Sequence, residues 1–169
     1  MITIRSGLLA LLLMLLAPMV LAQGAEVAFG GLKQDSSLPV EITSDELRLD
    51  QAAGTAVFTG NVRVGQGEMR LSADRVAVEY GAENGIQTGR IARLLATGNV
   101  VLLSGGEAAE AQKAVYTIDS GNIVMTGGVV LTQGQNALSG ERLVVDLQSG
   151  TGTMQGQVKT IFQPGSAAQ

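Results

Sequence analysis

Two short phrases return through this chain at a fixed distance. Thr59-Gly60-Asn61-Val62 comes back as Thr97-Gly98-Asn99-Val100, then more loosely as Thr126-Gly127-Gly128-Val129 and Gln155-Gly156-Gln157-Val158. Interleaved with it run Ser44-Asp45-Glu46-Leu47, Ala73-Asp74-Arg75-Val76, Ala111-Gln112-Lys113-Ala114 and Gly140-Glu141-Arg142-Leu143. Ser44 to Ala73, Ala111 to Gly140, Gly98 to Gly127 and Gly127 to Gly156 are each 29 residues apart. Ala73 to Ala111 and Gly60 to Gly98 are both 38, so a single insertion of nine residues, read as a short Gly-rich loop at Gly81 to Gly89, accounts for both. A fixed period of this length marks a repeat architecture, in which one supersecondary unit buries its apolar face against its neighbours.

The repeating unit is β in character. Leu47-Arg48-Leu49, Val76-Ala77-Val78-Glu79-Tyr80, Tyr116-Thr117-Ile118 and Leu143-Val144-Val145-Asp146-Leu147 alternate or nearly so, as strands with one buried face do. The 23 glycines fall largely in turn words between such runs, among them Asn84-Gly85, Gly105-Gly106 and Asp119-Ser120-Gly121-Asn122. Each repeat therefore reads as about two strands, and short strands at this spacing predict an all-β sandwich, barrel or solenoid. The helix-like stretch Glu107-Ala108-Ala109-Glu110-Ala111 is too short to form alone. Aligning the repeats assigns faces. Phe58, Val62, Val64, Val76, Val78, Tyr80, Val100, Leu102, Tyr116, Ile118, Leu131, Leu143 and Val145 fall on one side. Arg63, Arg75, Glu79, Lys113, Arg142, Asp146 and Lys159 fall on the other. Stacked repeats join the first set into one apolar lane, poor in aromatics and rich in Val, Leu, Ile and Met.

Several chemistries are excluded by composition. The chain has neither His nor Cys, so Ser-His-Asp catalysis, thiol chemistry and His- or Cys-based zinc sites are absent. Asp45 with Glu46, Asp74, Glu141 and Asp146 are the carboxylates that a glycoside hydrolase would need. Asp45, Asp74 and Glu141 recur with the repeat, which points to a duty in each repeat and not to a catalytic pair. No glycine-rich word precedes a helix, so no phosphate loop is present. A net charge of −4 without a basic cluster argues against nucleic-acid binding. The expectation is a non-enzyme with no cofactor and no metal.

The ends have their own signals. Arg5, the apolar run Leu8 to Leu16, Pro18 and the small residues up to Ala22 read as a secretory signal peptide over residues 1–22, cleaved near Ala22. Residues 23–38 read as a flexible leader, 39–164 as one domain and 165–169 as a tail.

Three stretches carry a resemblance: Leu38-Pro39-Val40-Glu41-Ile42-Thr43-Ser44-Asp45-Glu46-Leu47, Phe58-Thr59-Gly60-Asn61-Val62 and Leu71-Ser72-Ala73-Asp74-Arg75-Val76. In this order, behind a signal peptide, they resemble the LptA family of periplasmic lipopolysaccharide-transport bridge proteins with an OstA-like domain, over about residues 38 to 162. The resemblance implies an open, twisted β-jelly roll of many short antiparallel strands whose interior carries the acyl chains of lipopolysaccharide (lipid A). It implies head-to-tail self-association in the periplasm, between an inner-membrane Lpt partner of the same fold and an outer-membrane Lpt translocon. The shared face together with the family's groove gives an expected lipid-binding lining of Val40, Ile42, Leu49, Phe58, Val78, Tyr80, Val100, Tyr116, Ile118, Leu131 and Val145. The expected assembly edges are the first and last strands, marked by Val40, Leu49, Val158 and Ile161. The alternatives are an anchored inner-membrane partner of the same fold, which would keep its N-terminal segment, and a secreted structural β-repeat protein, whose lane would be ordinary core. An exported carbohydrate-active enzyme would require an isolated carboxylate pair.

Overall fold

In the computed structural model of the chain, residues 25–28, 33 and 35–162 are described. The signal-peptide segment and the tail lie outside the described residues, as do residues 23–24, 29–32 and 34 of the leader and 163–164 at the end of the domain. Among the described residues there is no helix. Eleven strands form one antiparallel sheet: β1 (Ala25–Ala28), β2 (Glu41–Thr43), β3 (Glu46–Asp50), β4 (Thr55–Gln66), β5 (Met69–Glu83), β6 (Ile86–Ser104), β7 (Glu107–Thr117), β8 (Asn122–Gln133), β9 (Asn136–Asp146), β10 (Thr151–Gln155) and β11 (Lys159–Ile161). Neighbours in sequence are neighbours in space from β4 to β9, a meander closed by tight Gly-bearing turns. At one end β2 and β3 both pair with β4, and at the other β10 and β11 both pair with β9. Each of these end pairs is therefore one strand broken in the middle.

A bend recurs in every other strand, β4, β6 and β8. Gly60-Asn61 stand together opposite Asp74, Gly98-Asn99 opposite Gln112, and Gly127-Gly128 opposite Glu141, because the register slips at each of these points. Two residues against one is a β-bulge, which bends the strand and increases its twist. The backbone is left-handed at both residues of each pair: φ is 78° and 46° at Gly60 and Asn61, 79° and 47° at Gly98 and Asn99, 91° and 71° at Gly127 and Gly128. Only Gly takes that conformation freely, and Asn tolerates it. The second phrase lies across from the first. Asn61 Nδ2 donates to Asp45 Oδ2 at 2.8 Å and Asn99 Nδ2 to Asp74 Oδ2 at 2.9 Å. The 29-residue period is thus the period of a strand pair, and its two phrases are the two sides of one contact. Aligned strand to strand, the bulges form a spine about which the sheet folds.

Folding is obligatory because the sheet has one apolar face and no other layer among the described residues to cover it. Two inner rows run through one half, Leu47-Phe58-Val76-Ala96-Ala114-Met125-Leu143-Met154 and Leu49-Ala56-Val78-Leu94-Tyr116-Ile123-Val145-Gly152, each residue opposite the next. Beyond the spine the facing row is Ile42-Val64-Leu71-Leu102-Ala109-Leu131-Leu138-Thr160. Most of these side chains are buried in a single core. Each buried Val, Leu or Ile contributes about 1.5–3 kcal/mol.

Two expectations need amendment. The insertion at Gly81 to Gly89 is not a loop: Ala82 pairs with Gln87 and Glu83 with Ile86, so it lengthens the β5–β6 hairpin around an Asn84-Gly85 turn. The leader contains a strand, β1, paired antiparallel with β10.

The spine separates two glycine substitutions. A Cβ at Gly128 meets nothing within 4 Å, so Gly128→Ala is expected to cost only the left-handed strain, about 1 kcal/mol. A Cβ at Gly98 would lie on the Asp74 carboxylate, so Gly98→Ala is expected to cost about 2–3 kcal/mol. Urea unfolding of the two variants checks this; equal losses would remove the Asp–Gly contact from the account of the spine.

Candidate functional site

The apolar lane is the one feature that runs the length of the molecule. Of its expected lining, Val78, Val100, Tyr116, Leu131 and Val145 are fully buried. Val40, Ile42, Phe58, Tyr80 and Ile118 are partly buried and pack against the same core. The structure therefore brings ten of the eleven together. Leu49 stands apart at 66% exposed, with Leu47 beside it at 48%. Both occupy inner-face positions on β3, whose outer side has no neighbouring strand among the described residues to continue the rows. The lane is thus filled by its own side chains along its length and uncovered at the β3 end. At the opposite end Val158, Ile161 and Phe162 are exposed around β11. A concavity of about 780 Å³ lies off the lane, between Leu38 and Pro39 and the neighbouring ends of β2, β4, β5 and β6.

The candidate carboxylates are engaged where the repeat places them. Asp45 and Asp74 accept from their spine asparagines. Glu46 pairs with Arg48 at 2.7 Å on the surface. The Glu141 side chain packs against Gly156. Asp146 Oδ1 accepts the backbone amides of Ser149 at 3.0 Å and Gln148 at 2.8 Å, and these hold its carboxyl below the usual carboxylate range. The result is a set of local turn and spine contacts, which position backbone and neighbouring side chains.

Two buried polar side chains were not foreseen. Gln66 continues the inward alternation of Val62 and Val64, a parity obscured by its place in a Gly-Gln-Gly turn word. It is buried, and its Oε1 accepts the Tyr116 hydroxyl at 2.8 Å. Tyr116 stands on the far side of the spine from Gln66, so this bond ties the two half-sheets together. Gln66 Nε2 donates to the Ser36 and Leu38 carbonyls at 3.0 and 2.9 Å, which fastens the end of the leader to the same point. Glu107 is also buried. Its Oε1 accepts from Gln133 at 2.7 Å while Oε2 has no partner among the described residues.

Burial pushes the Tyr116 phenol above its ordinary value of about 10. The folded state then holds the proton more tightly than the unfolded chain, so above pH 10 it binds more protons and stability falls as pH rises. Tyr116→Phe is expected to flatten that alkaline slope while costing about 1–3 kcal/mol at neutral pH, because Gln66 Oε1 loses its donor. Urea midpoints between pH 7 and about 11 measure both; an unchanged alkaline slope would remove Tyr116 as its source.

Known proteins share this architecture. A family model described as LptA/(LptD N-terminal domain) LPS transport protein matches residues 41–151, from the start of β2 to the start of β10. An uncharacterized protein of Rhizobium meliloti is 32% identical over 112 residues, covering 64% of this chain and 60% of that protein. The lipopolysaccharide export system protein LptA of Escherichia coli K12 is 42% identical over 52 residues, 30% of this chain and 28% of that one. The matched stretch spans less than two thirds of either relative. Among solved structures, the chain superimposes with a TM-score of 0.66 on LptH, the LptA-homologous periplasmic component of the lipopolysaccharide transport device of Pseudomonas aeruginosa. That match covers 78% of this chain and 99% of the other at 20% identity, which establishes the shared fold. The expected open β-jelly roll is therefore the fold observed, and with well over half of its length matched the chain belongs to the LptA/(LptD N-terminal domain) LPS transport protein family.

Proposed function

We propose that this protein is a periplasmic lipopolysaccharide carrier, exported by a signal peptide cleaved near Ala22, whose jelly roll shields lipid A acyl chains in transit from inner to outer membrane. The observation that carries the reading is the apolar lane, continuous across the sheet and uncovered at Leu47 and Leu49. An acyl chain exposed to water costs about 0.8 kcal/mol per CH₂, so passage through an aqueous compartment requires cover along its whole length. The lane supplies cover without chemistry, and no catalytic step is assigned.

The lane is closed in the free protein, so loading requires its half-sheets to part. They are joined along the spine, and the Tyr116–Gln66 bond is the polar latch across the opening. Acyl chains enter by replacing side-chain contacts with their own, which keeps the apolar area hidden from water nearly constant. The exposed β3 end is where this begins, since Leu49 and Leu47 are the only inner-face residues of the lane's first strands without cover. Partners of the same fold, and other copies of this chain, meet it edge to edge by strand addition. Head-to-tail joining carries the lane from one molecule into the next, from an inner-membrane Lpt partner to an outer-membrane translocon.

Binding of the mature protein to lipopolysaccharide, competed by a fluorescent lipid A, is the direct test. A photo-crosslinker at Tyr116 or Ile118 is expected to capture lipopolysaccharide, and one at Arg142 is not; equal capture at all three would overturn the lane assignment. A folded protein that binds no lipopolysaccharide would instead make the lane an ordinary core and the chain a structural repeat protein. Leu47→Asp with Leu49→Asp is expected to cost about 1–2 kcal/mol of folding stability, because Leu47 is about half buried and Leu49 about a third. The same pair of changes is expected to abolish self-association measured by sedimentation, and retained association would exclude the β3 edge as a joint.

A further inference from the structure

The sheet alternates two kinds of strand. Those bearing the Gly phrase are β4, β6, β8 and the broken strand β10–β11; those bearing the Asp phrase are β5, β7, β9 and the broken strand β2–β3. Every Gly-phrase strand inside the sheet lies between two Asp-phrase strands. The last, β10–β11, has β9 on one side only, and among the described residues no Asp-phrase strand is left to supply the other. The one Asp-phrase strand with a free side is β2–β3, at the opposite end of the molecule. The two ends also match in build: three and five residues in β2 and β3, five and three in β10 and β11.

The repeat predicts the register of that missing neighbour. In β4–β5, Phe58 faces Val76, Val57 faces Ala77 and Ala56 faces Val78. The phrase alignment puts Met154, Thr153 and Gly152 in place of Phe58, Val57 and Ala56. It puts Leu47, Arg48 and Leu49 in place of Val76, Ala77 and Val78. A second copy continuing the sheet would therefore set Leu47 opposite Met154, Arg48 opposite Thr153 and Leu49 opposite Gly152. Those three positions are taken. In the structure Ala25 faces Met154, Glu26 faces Thr153 and Val27 faces Gly152, antiparallel as the repeat requires. The segment Ala25-Glu26-Val27 has the apolar–charged–apolar order of Leu47-Arg48-Leu49. It is paired on one side only, and it covers β10 while leaving β11 with β9 alone.

We propose that β1 is a placeholder strand, standing where β3 of the next copy docks, and that head-to-tail joining requires β1 to leave β10. This rests on the edge-to-edge assembly proposed above and adds to it an internal competitor. In the free protein β1 hides the β10 edge, which would otherwise template pairing with any strand. In the joined state Leu47 and Leu49 replace Ala25 and Val27, larger apolar residues that are uncovered until then.

The chain has no cysteine, so a single introduced pair reports cleanly. Residues opposite each other in an antiparallel pair lie within disulfide range. Full-length mature protein carrying Glu26→Cys and Thr153→Cys is expected to close an intramolecular disulfide, and in that state to lose self-association, which reduction restores. A mixture of Arg48→Cys copies with Thr153→Cys copies is expected to form little intermolecular disulfide. With Glu26→Pro and Val27→Pro added, which prevent β1 from pairing, the intermolecular yield is expected to rise several-fold. A yield unaffected by the prolines, or a locked protein that associates like the wild type, would overturn the proposal. Lipopolysaccharide binding by the same proteins separates the two readings: loss of the carrier function would show as no binding by the wild type, whereas failure of strand exchange alone would leave binding intact and the crosslink yields unchanged.

Discussion

A single sheet with one apolar face must cover that face with itself, and everything else in this molecule follows from how it does so. No helix packs against the sheet among its described residues, and the composition offers few aromatics to fill a wide gap. A flat sheet of this length would leave its inner rows in water. The bulge in each Gly-phrase strand solves this locally: two left-handed residues turn the strand, and a carboxylate or amide side chain from the neighbouring strand fills the space over the glycine. Because every second strand carries the bulge at the same level, local turns add up to a fold line, and two half-sheets close over one core.

The four spine contacts show which part of that device is indispensable. In the first two, an Asn–Asp hydrogen bond accompanies the left-handed pair. In the third, Gly128 replaces the asparagine and Gln112 the aspartate; in the fourth, Gln157 and Glu141 stand there. The hydrogen bond is gone from these last two, yet φ remains 91° and 71° at Gly127 and Gly128, and 78° and 45° at Gly156 and Gln157. The side-chain bond is therefore an accessory, while the backbone conformation and the glycine that permits it are the requirement. That explains why the first Gly is present in all four copies while the residue after it varies.

Much of this was legible in the residues. Period-2 alternation within a 29-residue period gave the strand pairs and their faces, because the repeat supplies four readings of the same position. Less legible were features that depend on context outside the repeat. The Gly81 to Gly89 segment reads as a loop on composition, but two long strands already in register extend it as a hairpin. Gln66 reads as a turn residue, although its parity with Val62 and Val64 points it inward, where Tyr116 makes burial tolerable. β1 has only four residues among glycines, and nothing local marks it as a strand; the unpaired edge of β10 makes it one. In the candidate lane the faces were legible and the degree of closure was not, since alternation tells which way a side chain points and not whether a second layer lies above it.

That last distinction bears on the proposed use of one architecture as both core and conduit. A core selected only for stability favours large, interlocking side chains, whose separation forfeits specific contacts. Here the inner rows set Ala96, Ala109, Ala111 and Ala114 among Val, Leu, Ile and Met, and the half-sheets share one spine instead of being closed at both margins. Such an interior loses few unique contacts when its layers part, and aliphatic chains can replace most of what is lost. The same economy governs the ends, where Leu47 and Leu49 remain in water although their parity is that of core residues. A monomer gains nothing from that exposure. Under the head-to-tail joining proposed above, the inner rows continue into the next molecule and that exposure is removed.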